Sequence, residues 1–335
     1  MANWSIYKAK EELSDVSNDF GVSVAFFDGR GGPPARGGGN THHFYASMGS
    51  RIQADDIQLT VQGQTISSNF GTLDSSQFNL EQLLSSGISN QVFKNDDNHL
   101  ADADRKTMQQ LAEISYQAYS DFKSHPKFVP YLENMSTLKY YSKTNIGSRP
   151  SKRGSSKELN FSDLRAIPFV GSWSQSKQNV PGFFGVGSAI ESFEIRGEFD
   201  KVDSLYKNSA FFRTLIANSM MSLTKSFFKL TAHIAKDKEF GEFWNIIHNE
   251  YILSKQMLLK LTGYSELMED QPAGKHSIEM REAIVQPLLT IQQYALSSIH
   301  ELNESGKHSE KQKEVFEKLV TRSLFGNINA SRNSC

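Results

Sequence analysis

The residues of this sequence best suited to chemistry are two arginines in a glycine-rich loop. Residues 29–39 contain six glycines, two prolines and two arginines, Arg30 and Arg36. Glycine lets backbone amides approach a ligand closely, and arginine pairs bidentately with carboxylate or phosphate. Residues 22–27, just before the loop, form a β-branched and aromatic run that predicts a strand. A strand that leads into such a loop predicts an anion-binding site with Arg30 and Arg36 at its centre.

The loop does not match the best-known phosphate-binding motifs. A P-loop requires Lys followed by Ser or Thr after the last glycine, where Asn40 stands, and a dinucleotide fingerprint requires glycine where Pro34 stands. Two other interpretations remain open for the loop. One is a glycine-rich turn with solvated arginines, and the other is an RGG-type RNA-binding segment. The RNA-binding interpretation is disfavoured because such segments are repeated, whereas this one occurs once and follows an apolar run.

Two further arginines lie in sequence contexts that suggest a binding role. Arg149 stands in a Gly-Ser-Arg-Pro turn within a basic stretch, residues 140–157, that predicts an exposed loop. Arg165 lies in the apolar run of residues 164–173, which predicts a second buried strand. Burying an arginine without an anionic partner is costly. Arg165 therefore predicts either an anionic ligand or an internal salt bridge with one of the 37 acidic residues.

Two cations also stand out in the second half of the chain, where residues 201–325 follow a helical pattern. Lys225 has Met221 and Phe228 beside it on one predicted helix face, and Arg281 lies on a stripe of apolar residues. Each pattern places a cation on a partly apolar face. Snorkelling of the charged end into water is the commoner explanation of such a pattern, and ligand binding is the alternative.

The bulk composition is that of a soluble globular protein without a bias towards polyanions. In 335 residues, 36 Lys and Arg are balanced by 37 Asp and Glu, so the net charge is −1 and nothing favours nucleic acid or an anionic membrane. No apolar run approaches the roughly 18 residues of a membrane span, and the N-terminus does not resemble a signal peptide. The single cysteine, Cys335, permits no intrachain disulfide and no cysteine metal cluster, which fits a cytoplasmic protein.

The coarse pattern of elements divides the chain into two halves. Residues 2–20 predict an amphipathic helix whose apolar stripe runs from Ile6 to Phe20, and further helices are predicted over 79–86 and 106–123. Strands that alternate with helices in the first half predict part of a β/α barrel or an α/β layer. The predicted fold class is therefore mostly α with an α/β part.

Five segments together resemble phosphoenolpyruvate carboxylase of the bacterial type. They occur in the family's order and run from the first residues to the last: FFDGRGGPPARGGG, IGSRPSKR, LRAIPFVGSWSQSK, PGFFGVGSA and the terminal SRNS. The resemblance implies the C-terminal part of a β/α (TIM-like) barrel plus a large helical region. Residues 1–195 would form the partial barrel with its Gly/Arg anion-binding loops, and residues 196–335 the C-terminal helical region with an inhibitor site.

The resemblance also implies a reaction. Phosphoenolpyruvate and bicarbonate, with Mg²⁺, give oxaloacetate and phosphate, an anaplerotic carbon dioxide fixation that feeds the tricarboxylic acid cycle. The family enzyme is a cytoplasmic homotetramer, a lyase under allosteric inhibition by aspartate or malate. Every reacting species is an anion, so arginines at strand ends are what this chemistry requires.

Individual roles follow from the match of the motifs. The resemblance implies a catalytic site formed by Arg30, Arg149 and Arg165, with Gly29, Gly31 and Gly32 in the substrate-binding loop. It implies an allosteric inhibitor site formed by Arg36, Lys225, Arg281 and Asn333. For Lys225 and Arg281, the binding interpretation now outweighs snorkelling.

The sequence departs from the family at several points. Asp28 stands where the family usually has His before the glycine loop, and Gln58 and Val61 stand where it usually has Arg and Glu. The segments that carry the family's catalytic histidine, active-site lysine and acidic metal ligands are not matched, so no metal ligands are expected here. We therefore expect a C-terminal portion that is inactive alone. The alternative is a non-enzymatic module that binds a dicarboxylate or phosphate.

Overall fold

The computed structural model of the chain consists mostly of α-helices. It describes residues 2–28, 41–49, 51–52, 56–61, 66, 69–92, 100–143, 164–306 and 310–331. The α-helices with described bounds are α1 (Ala2–Asp19), α2 (Thr41–Ala46), α3 (Leu73–Val92), α4 (Asp102–Ser124), α5 (Phe128–Met135), α6 (Ala166–Gln175), α7 (Val186–Ile195), α8 (Phe199–Asn208), α9 (Ala210–Thr224), α10 (Gly241–Thr262), α11 (Pro272–Ser305) and α12 (Glu310–Ser331). Among the described residues, 3₁₀ helices span Leu138–Lys143, Val180–Gly182 and Phe228–Lys236. In the described part of the chain, no helix combines the length and the apolarity that crossing a bilayer requires.

Two short strands form a parallel pair. β1 (Phe26–Asp28) pairs with β2 (Ile57–Leu59), in a register that sets Phe26 opposite Ile57 and Asp28 opposite Leu59. The strand predicted over residues 22–27 is thus confirmed only at its end. A parallel pair requires a crossover connection, and α2 lies in the segment between the two strands.

The chain divides into two compact units, each built from three segments. The first contains Met1–Ser120, Gly182–Met221 and Glu250–Leu267, and the second contains Asp121–Pro181, Ser222–Asn249 and Met268–Cys335. The predicted division between residues 195 and 196 separates a barrel part from a helical part by fold type, whereas these units are defined by compactness. That division stays a prediction.

In the first unit, α1 is helical as predicted but buries a different face. Trp4 and Tyr7 stack with ring centroids 5.6 Å apart, and Tyr7 lies 4.4 Å from Phe211. The predicted apolar stripe is largely exposed instead, with Val16 54% and Phe20 79% exposed. The buried face carries the polar residues Lys10, Glu11 and Ser14. Long-range partners, which a periodicity cannot reveal, therefore decided which face is buried.

The glycine-rich turn before α7 is capped from within the first unit. Gly185 has a φ of 89°, and a Cβ there would lie 2.7 Å from the carbonyl oxygen of Ser115. The buried carboxylate of Glu250 accepts a hydrogen bond from the Gly185 amide at 2.9 Å and others from Ser188 and Ser254. A carboxylate at a helix N-terminus satisfies the free amides there. This potential anion site is thus filled by the protein itself.

The core of the second unit is aromatic. Phe122 stacks on Phe243 with centroids 5.0 Å apart, and Tyr131 stacks on Trp173 at 6.1 Å. A neighbouring cluster joins α11 and α12 to the 3₁₀ helix Leu138–Lys143. The helices predicted through the second half of the chain are confirmed in these elements.

The strand predicted for residues 164–173 is wrong, because the run forms α6. Pro168 lies in the first turn of this helix, where its missing N–H has no intrahelical acceptor to lose. A short apolar run has the same appearance in a buried helix and in a buried strand. Tertiary packing decides here, since a Cβ on Gly171 would lie 2.0 Å from the Tyr141 hydroxyl.

The predicted exposed loop at residues 140–157 is wrong at its start. Tyr140 and Tyr141 are buried in the 3₁₀ helix Leu138–Lys143. Residues 144–157 lie outside the described residues.

Candidate functional site

Three of the site residues predicted from the sequence can be located. They are Arg165, Lys225 and Arg281. The others lie outside the described residues: Gly29, Arg30, Gly31, Gly32, Arg36, Arg149 and Asn333. The roles assigned to both groups stay predictions.

Asp28, the residue that precedes the glycine-rich loop, is held by two side chains of the first unit. Its Oδ2 accepts a hydrogen bond from Lys10 Nζ at 2.8 Å and another from the Tyr45 hydroxyl at 2.6 Å. The side chains of Lys10 and Asp28 are only 9% and 11% exposed. Burial and then the hydrogen bond to Asp28 raise the pKa of Tyr45 well above its ordinary value, which keeps the phenol a donor.

Asp28, which stands where the resemblance would place a histidine, is therefore compensated internally. The Asp28 charge is balanced by Lys10 within the same unit, and a paired carboxylate repels a nearby anion far less than a free one. Glu11, the next residue of α1, is likewise buried and paired with Arg105. The polar face of α1 thus fixes the strand end from which the loop departs.

Arg165 stands at the start of a helix rather than in a strand. Its backbone is extended, with φ −96° and ψ 146°, and it forms the N-terminal boundary of α6. Its Nε is buried without a hydrogen-bond partner among the residues that the structure describes. No salt bridge to Arg165 occurs in that part of the chain. An unsatisfied buried guanidinium N–H favours an anionic acceptor at this position.

The second unit brings three cations together, and we call Lys177, Lys225 and Arg281 the cation cluster. Lys177 lies in the turn after α6, Lys225 follows the last residue of α9, and Arg281 lies on α11. The positive charges of Lys177 and Arg281 both lower the pKa of Lys225. The ion pair of Lys177 with Glu282, which follows Arg281 on α11, and the hydrogen bond of the Phe227 amide to the Lys177 carbonyl place Lys177 near both other cations. Lys225 and Arg281, which the sequence analysis assigned to one predicted site, thus lie in the same region although 56 positions separate them.

The helical pattern misplaced Lys225 but placed Arg281 correctly on a helix. Lys225 is not on a helix face with Met221 and Phe228, because α9 ends at Thr224 and Phe228 begins a separate 3₁₀ helix. Arg281 is exposed, whereas Ile278 on the same helix is buried. Lys225 is therefore not on an apolar helix stripe. Arg281 does lie on one, because Ile278 and Val285 on the same face of α11 are buried, and its exposed charge there fits snorkelling as well as ligand binding.

Hydrogen bonds between two turns fix the position of Lys177 and Lys225. The Phe227 amide donates to the Lys177 carbonyl at 2.7 Å, and the Ser226 hydroxyl donates to the Gln178 carbonyl at 3.2 Å. Asn179 Nδ2 donates to the Ser226 hydroxyl at 3.3 Å. The two turns are therefore held against each other by three hydrogen bonds that do not involve the lysine side chains.

The turn that carries Lys177 has an unusual backbone. Lys177 and Asn179 have φ values of 54° and 45°, a left-handed region that non-glycine residues rarely adopt. Such conformations persist where the surroundings impose them, and they concentrate at functional sites. Gln178 between them is buried and donates to the Tyr131 hydroxyl at 2.8 Å, which links the turn to the aromatic core.

The charges of the cation cluster are poorly compensated. Burial is the largest influence on Lys225, and with the like charges of Lys177 and Arg281 it lowers the pKa of this lysine to about 8. Glu282 acts in the opposite direction and forms an ion pair with Lys177. Within the described residues, Lys225 and Arg281 have no ion pair or hydrogen bond of their own. Such an arrangement attracts an anion with more than one negative group.

Lys177 and Glu282 belong to this cluster but were not predicted from the sequence. Lys177 ends the LRAIPFVGSWSQSK segment, and Glu282 directly follows Arg281. The position of Lys177 at the end of a recognisable motif could have indicated that it contributes to the site. Its pairing with Glu282, across 105 positions, could not be read from the sequence.

The described residues do not offer the site that Mg²⁺ prefers. The described group with metal-ligand geometry consists of Asp237, His300 and Glu304, whose ligand atoms lie within 4.8 Å of one another. Mg²⁺ favours an octahedral shell of oxygen ligands, but His300 offers a nitrogen. Asp237 is also engaged, because its Oδ1 accepts the amides of Glu239 and Phe240 and its Oδ2 lies 3.0 Å from His300 Nε2. This group fits a structural Asp–His pair better than a magnesium site.

The comparison with known protein families agrees with the sequence motifs described above. The family model for phosphoenolpyruvate carboxylase matches residues 1–330, which is nearly the whole of the 335-residue chain. The chain belongs to the phosphoenolpyruvate carboxylase family.

Proposed function

We propose that the cation cluster of this chain is the allosteric site at which a phosphoenolpyruvate carboxylase binds a dicarboxylate such as aspartate or malate. The observation that carries the proposal is the position of Lys225 and Arg281 on either side of the Lys177–Glu282 ion pair, with no counter-ions of their own among the described residues. Each can pair with one carboxylate of a small diacid. Arg36 and Asn333, assigned by resemblance, would complete the site.

The same chain would contribute to the catalytic site through its arginines. In the reaction of phosphoenolpyruvate with bicarbonate to oxaloacetate and phosphate, Arg30, Arg149 and Arg165 would bind the anionic groups. The unsatisfied Nε of Arg165 supports a role of this kind for that residue. Positive groups positioned at developing negative charge supply much of the rate enhancement in such reactions.

The parallel pair β1–β2 would belong to the β/α barrel of such an enzyme. Exposed apolar side chains of the first unit support this, since Phe27 on β1 is 66% exposed and Leu84 on α3 is 64% exposed. Barrel strands are normally covered on both faces. Assembly into a cytoplasmic homotetramer, as in the family, is part of the same proposal.

The chain by itself would not catalyse carboxylation. The family's catalytic histidine, active-site lysine and Mg²⁺ ligands are not matched in this sequence. A coupled assay for oxaloacetate with phosphoenolpyruvate, bicarbonate and Mg²⁺ should detect no turnover above a blank. Sustained turnover by the purified chain would refute this.

The dicarboxylate site is tested by calorimetric titration of the chain with L-aspartate and L-malate. We expect saturable binding that is weakened at least about tenfold by Lys225→Met or Arg281→Met, since each removes a charge-assisted contact. Lys229→Met is the matched control, because Lys229 is exposed and close in sequence. Absence of binding to the unmodified chain, or an equal loss in all three variants, would contradict the proposal.

A non-enzymatic module that binds a dicarboxylate or phosphate is the second candidate function. It is favoured by the observation that the cation cluster lies entirely within the second unit and needs no catalytic residue. Inorganic phosphate distinguishes the ligand classes in the same titration. A preference for malate over phosphate supports the dicarboxylate site, and oxaloacetate formation would exclude the non-enzymatic alternative.

A further inference from the structure

Among the described residues, a single carboxylate, that of Glu282, acts as counter-ion to the cation cluster. Glu282 forms an ion pair with Lys177 Nζ. It is also the acidic residue that raises the pKa of Lys225, against the effect of burial and of the neighbouring cations. The neighbouring acid on the same helix, Glu279, is instead 58% exposed and lies 3.8 Å from His276. Glu282 therefore holds the position that an anionic ligand of the cluster would take.

The two members of this ion pair differ in their freedom to move. The side chain of Lys177 is 8% exposed and that of Glu282 is 27% exposed. The Lys177 backbone is held by the Phe227 amide, whereas Glu282 lies on the partly exposed surface of α11. Rotation of Glu282 towards water would leave the Lys177 ammonium in place, where it could bind another carboxylate.

The buried ammonium of Lys177 is strongly stabilised by a counter-ion. Transfer of an unpaired charge into a protein is strongly unfavourable, and breaking a buried pair leaves its partner uncompensated. Glu282 provides this counter-ion when no ligand is bound. A diacid with one carboxylate at Lys177 would provide it equally well, and the two anions cannot occupy the same place.

We infer that Glu282 is an internal competitor of the dicarboxylate ligand, which must displace it from Lys177, and that Lys177 is a third cation of the binding site. The inference rests on the proposed dicarboxylate site and adds to it a residue that limits affinity. A site with an internal competitor responds only to a ligand concentration that overcomes the resident ion pair. Glu282 would thereby set the concentration range over which the ligand acts.

The test is a titration of the full chain with L-malate, comparing the unmodified protein with Glu282→Gln and Lys177→Met. Removal of the competitor should lower the Kd at least about tenfold, because a charge that opposes the ligand is lost. Removal of the third cation should raise the Kd by a similar factor. Glu279→Gln is the matched control and should leave the Kd unchanged. Far-ultraviolet circular dichroism verifies that each variant is folded.

The outcomes separate this inference from the proposed site. If the unmodified chain binds malate but Glu282→Gln binds equally well or more weakly, the competitor is refuted while the dicarboxylate site stands. If neither protein binds malate, both are refuted. If only Glu282→Gln binds, the competitor is supported, and a regulatory role of the unmodified site is refuted.

A second readout does not depend on ligand. Reductive ¹³C-methylation of the lysines and NMR titration report the pKa of Lys177 and Lys225 directly. Glu282→Gln should lower both pKa values, because it removes the one carboxylate that raises them. Unchanged values would show that Glu282 does not act on the cluster and would overturn the inference.

Discussion

At the scale of single residues, this chain carries two kinds of buried or partly buried cation. Lys10 is compensated by Asp28, which also accepts a hydrogen bond from Tyr45, whereas Lys225 faces Lys177 and Arg281 with only Glu282 to oppose them. The first arrangement stabilises the fold. The second costs stability, which a ligand could restore. Their responses to substitution should therefore have opposite signs.

Replacing Lys225 with methionine should stabilise the free protein at neutral pH by about 1–2 kcal/mol, because it removes a poorly compensated charge. The folded-state pKa of about 8 lies below the ordinary value, so the loss of folding stability caused by the charged Lys225 is greatest below pH 8. It is relieved as the pH rises from 8 through the ordinary lysine value. The gain from Lys225→Met should accordingly shrink at pH 10, as measured by urea unfolding at both pH values.

The exposed Lys229 is the control for the Lys225 substitution. Lys229→Met should change the free energy of unfolding by less than about 0.5 kcal/mol at either pH. A destabilised Lys225→Met protein at neutral pH would mean that Lys225 has a stabilising partner, and the prediction would be wrong.

Replacing Lys10 with methionine should destabilise the protein by about 3 kcal/mol or more, because Asp28 would keep a largely buried, uncompensated charge. Arg51→Met breaks a comparable pair with Asp15 whose side chains are 41% and 42% exposed, and it should change stability by less than about 1 kcal/mol. Urea unfolding at pH 7 measures both. Equal effects of the two substitutions would contradict the assignment of the Lys10–Asp28 pair as a buried one.

At the scale of elements, two helices differ from what their sequences predict, for separate reasons. The apolar run of α6 carries no periodicity long enough to distinguish a helix from a strand. In α1 the periodicity is clear but the apolar stripe is largely exposed, because the opposite face makes the ion pairs Lys10–Asp28 and Glu11–Arg105. Both outcomes depend on contacts with residues far away in the sequence.

Two helix glycines provide a test of the packing of α6. Gly171→Ala should destabilise the protein by about 1–3 kcal/mol, because a Cβ would lie 2.0 Å from the hydroxyl of the buried Tyr141. Gly87→Ala on α3 meets no atom within 4 Å and should stabilise by up to about 1 kcal/mol through helix propensity. Thermal unfolding measures both. A stabilising Gly171→Ala would mean that α6 and the 3₁₀ helix Leu138–Lys143 are not in close contact.

At the scale of the whole molecule, the chain combines two compact units with a net charge of −1. The near-zero net charge provides no general attraction for anions, so binding of an anionic ligand must depend on local clusters. Glu250 fills the N-terminus of α7 and Asp28 is paired with Lys10. By contrast, the cation cluster retains an excess of positive charge.

A dicarboxylate should therefore stabilise the whole chain against unfolding. Binding to the folded state alone adds about 2.7 kcal/mol at a ligand concentration one hundred times the Kd. We expect L-malate to raise the midpoint of thermal unfolding in a concentration-dependent manner at pH 7. The effect should be smaller at pH 9, where Lys225, with a pKa of about 8, is largely neutral in the free protein. A malate effect that persists in Arg281→Met would place the ligand elsewhere.

The sequence by itself determined the helical character of the chain, the residue types that an anion site requires, and the family. These follow from local patterns and from motifs such as LRAIPFVGSWSQSK, which are complete within a short stretch. Only the tertiary structure decided which face of α1 is buried, that Asp28 is compensated by Lys10, and that Glu282 pairs with Lys177. Charges and packing act through space, and the Lys177–Glu282 pair joins residues 105 positions apart. A linear pattern therefore specifies the groups that can meet, and the fold selects the pairs that do.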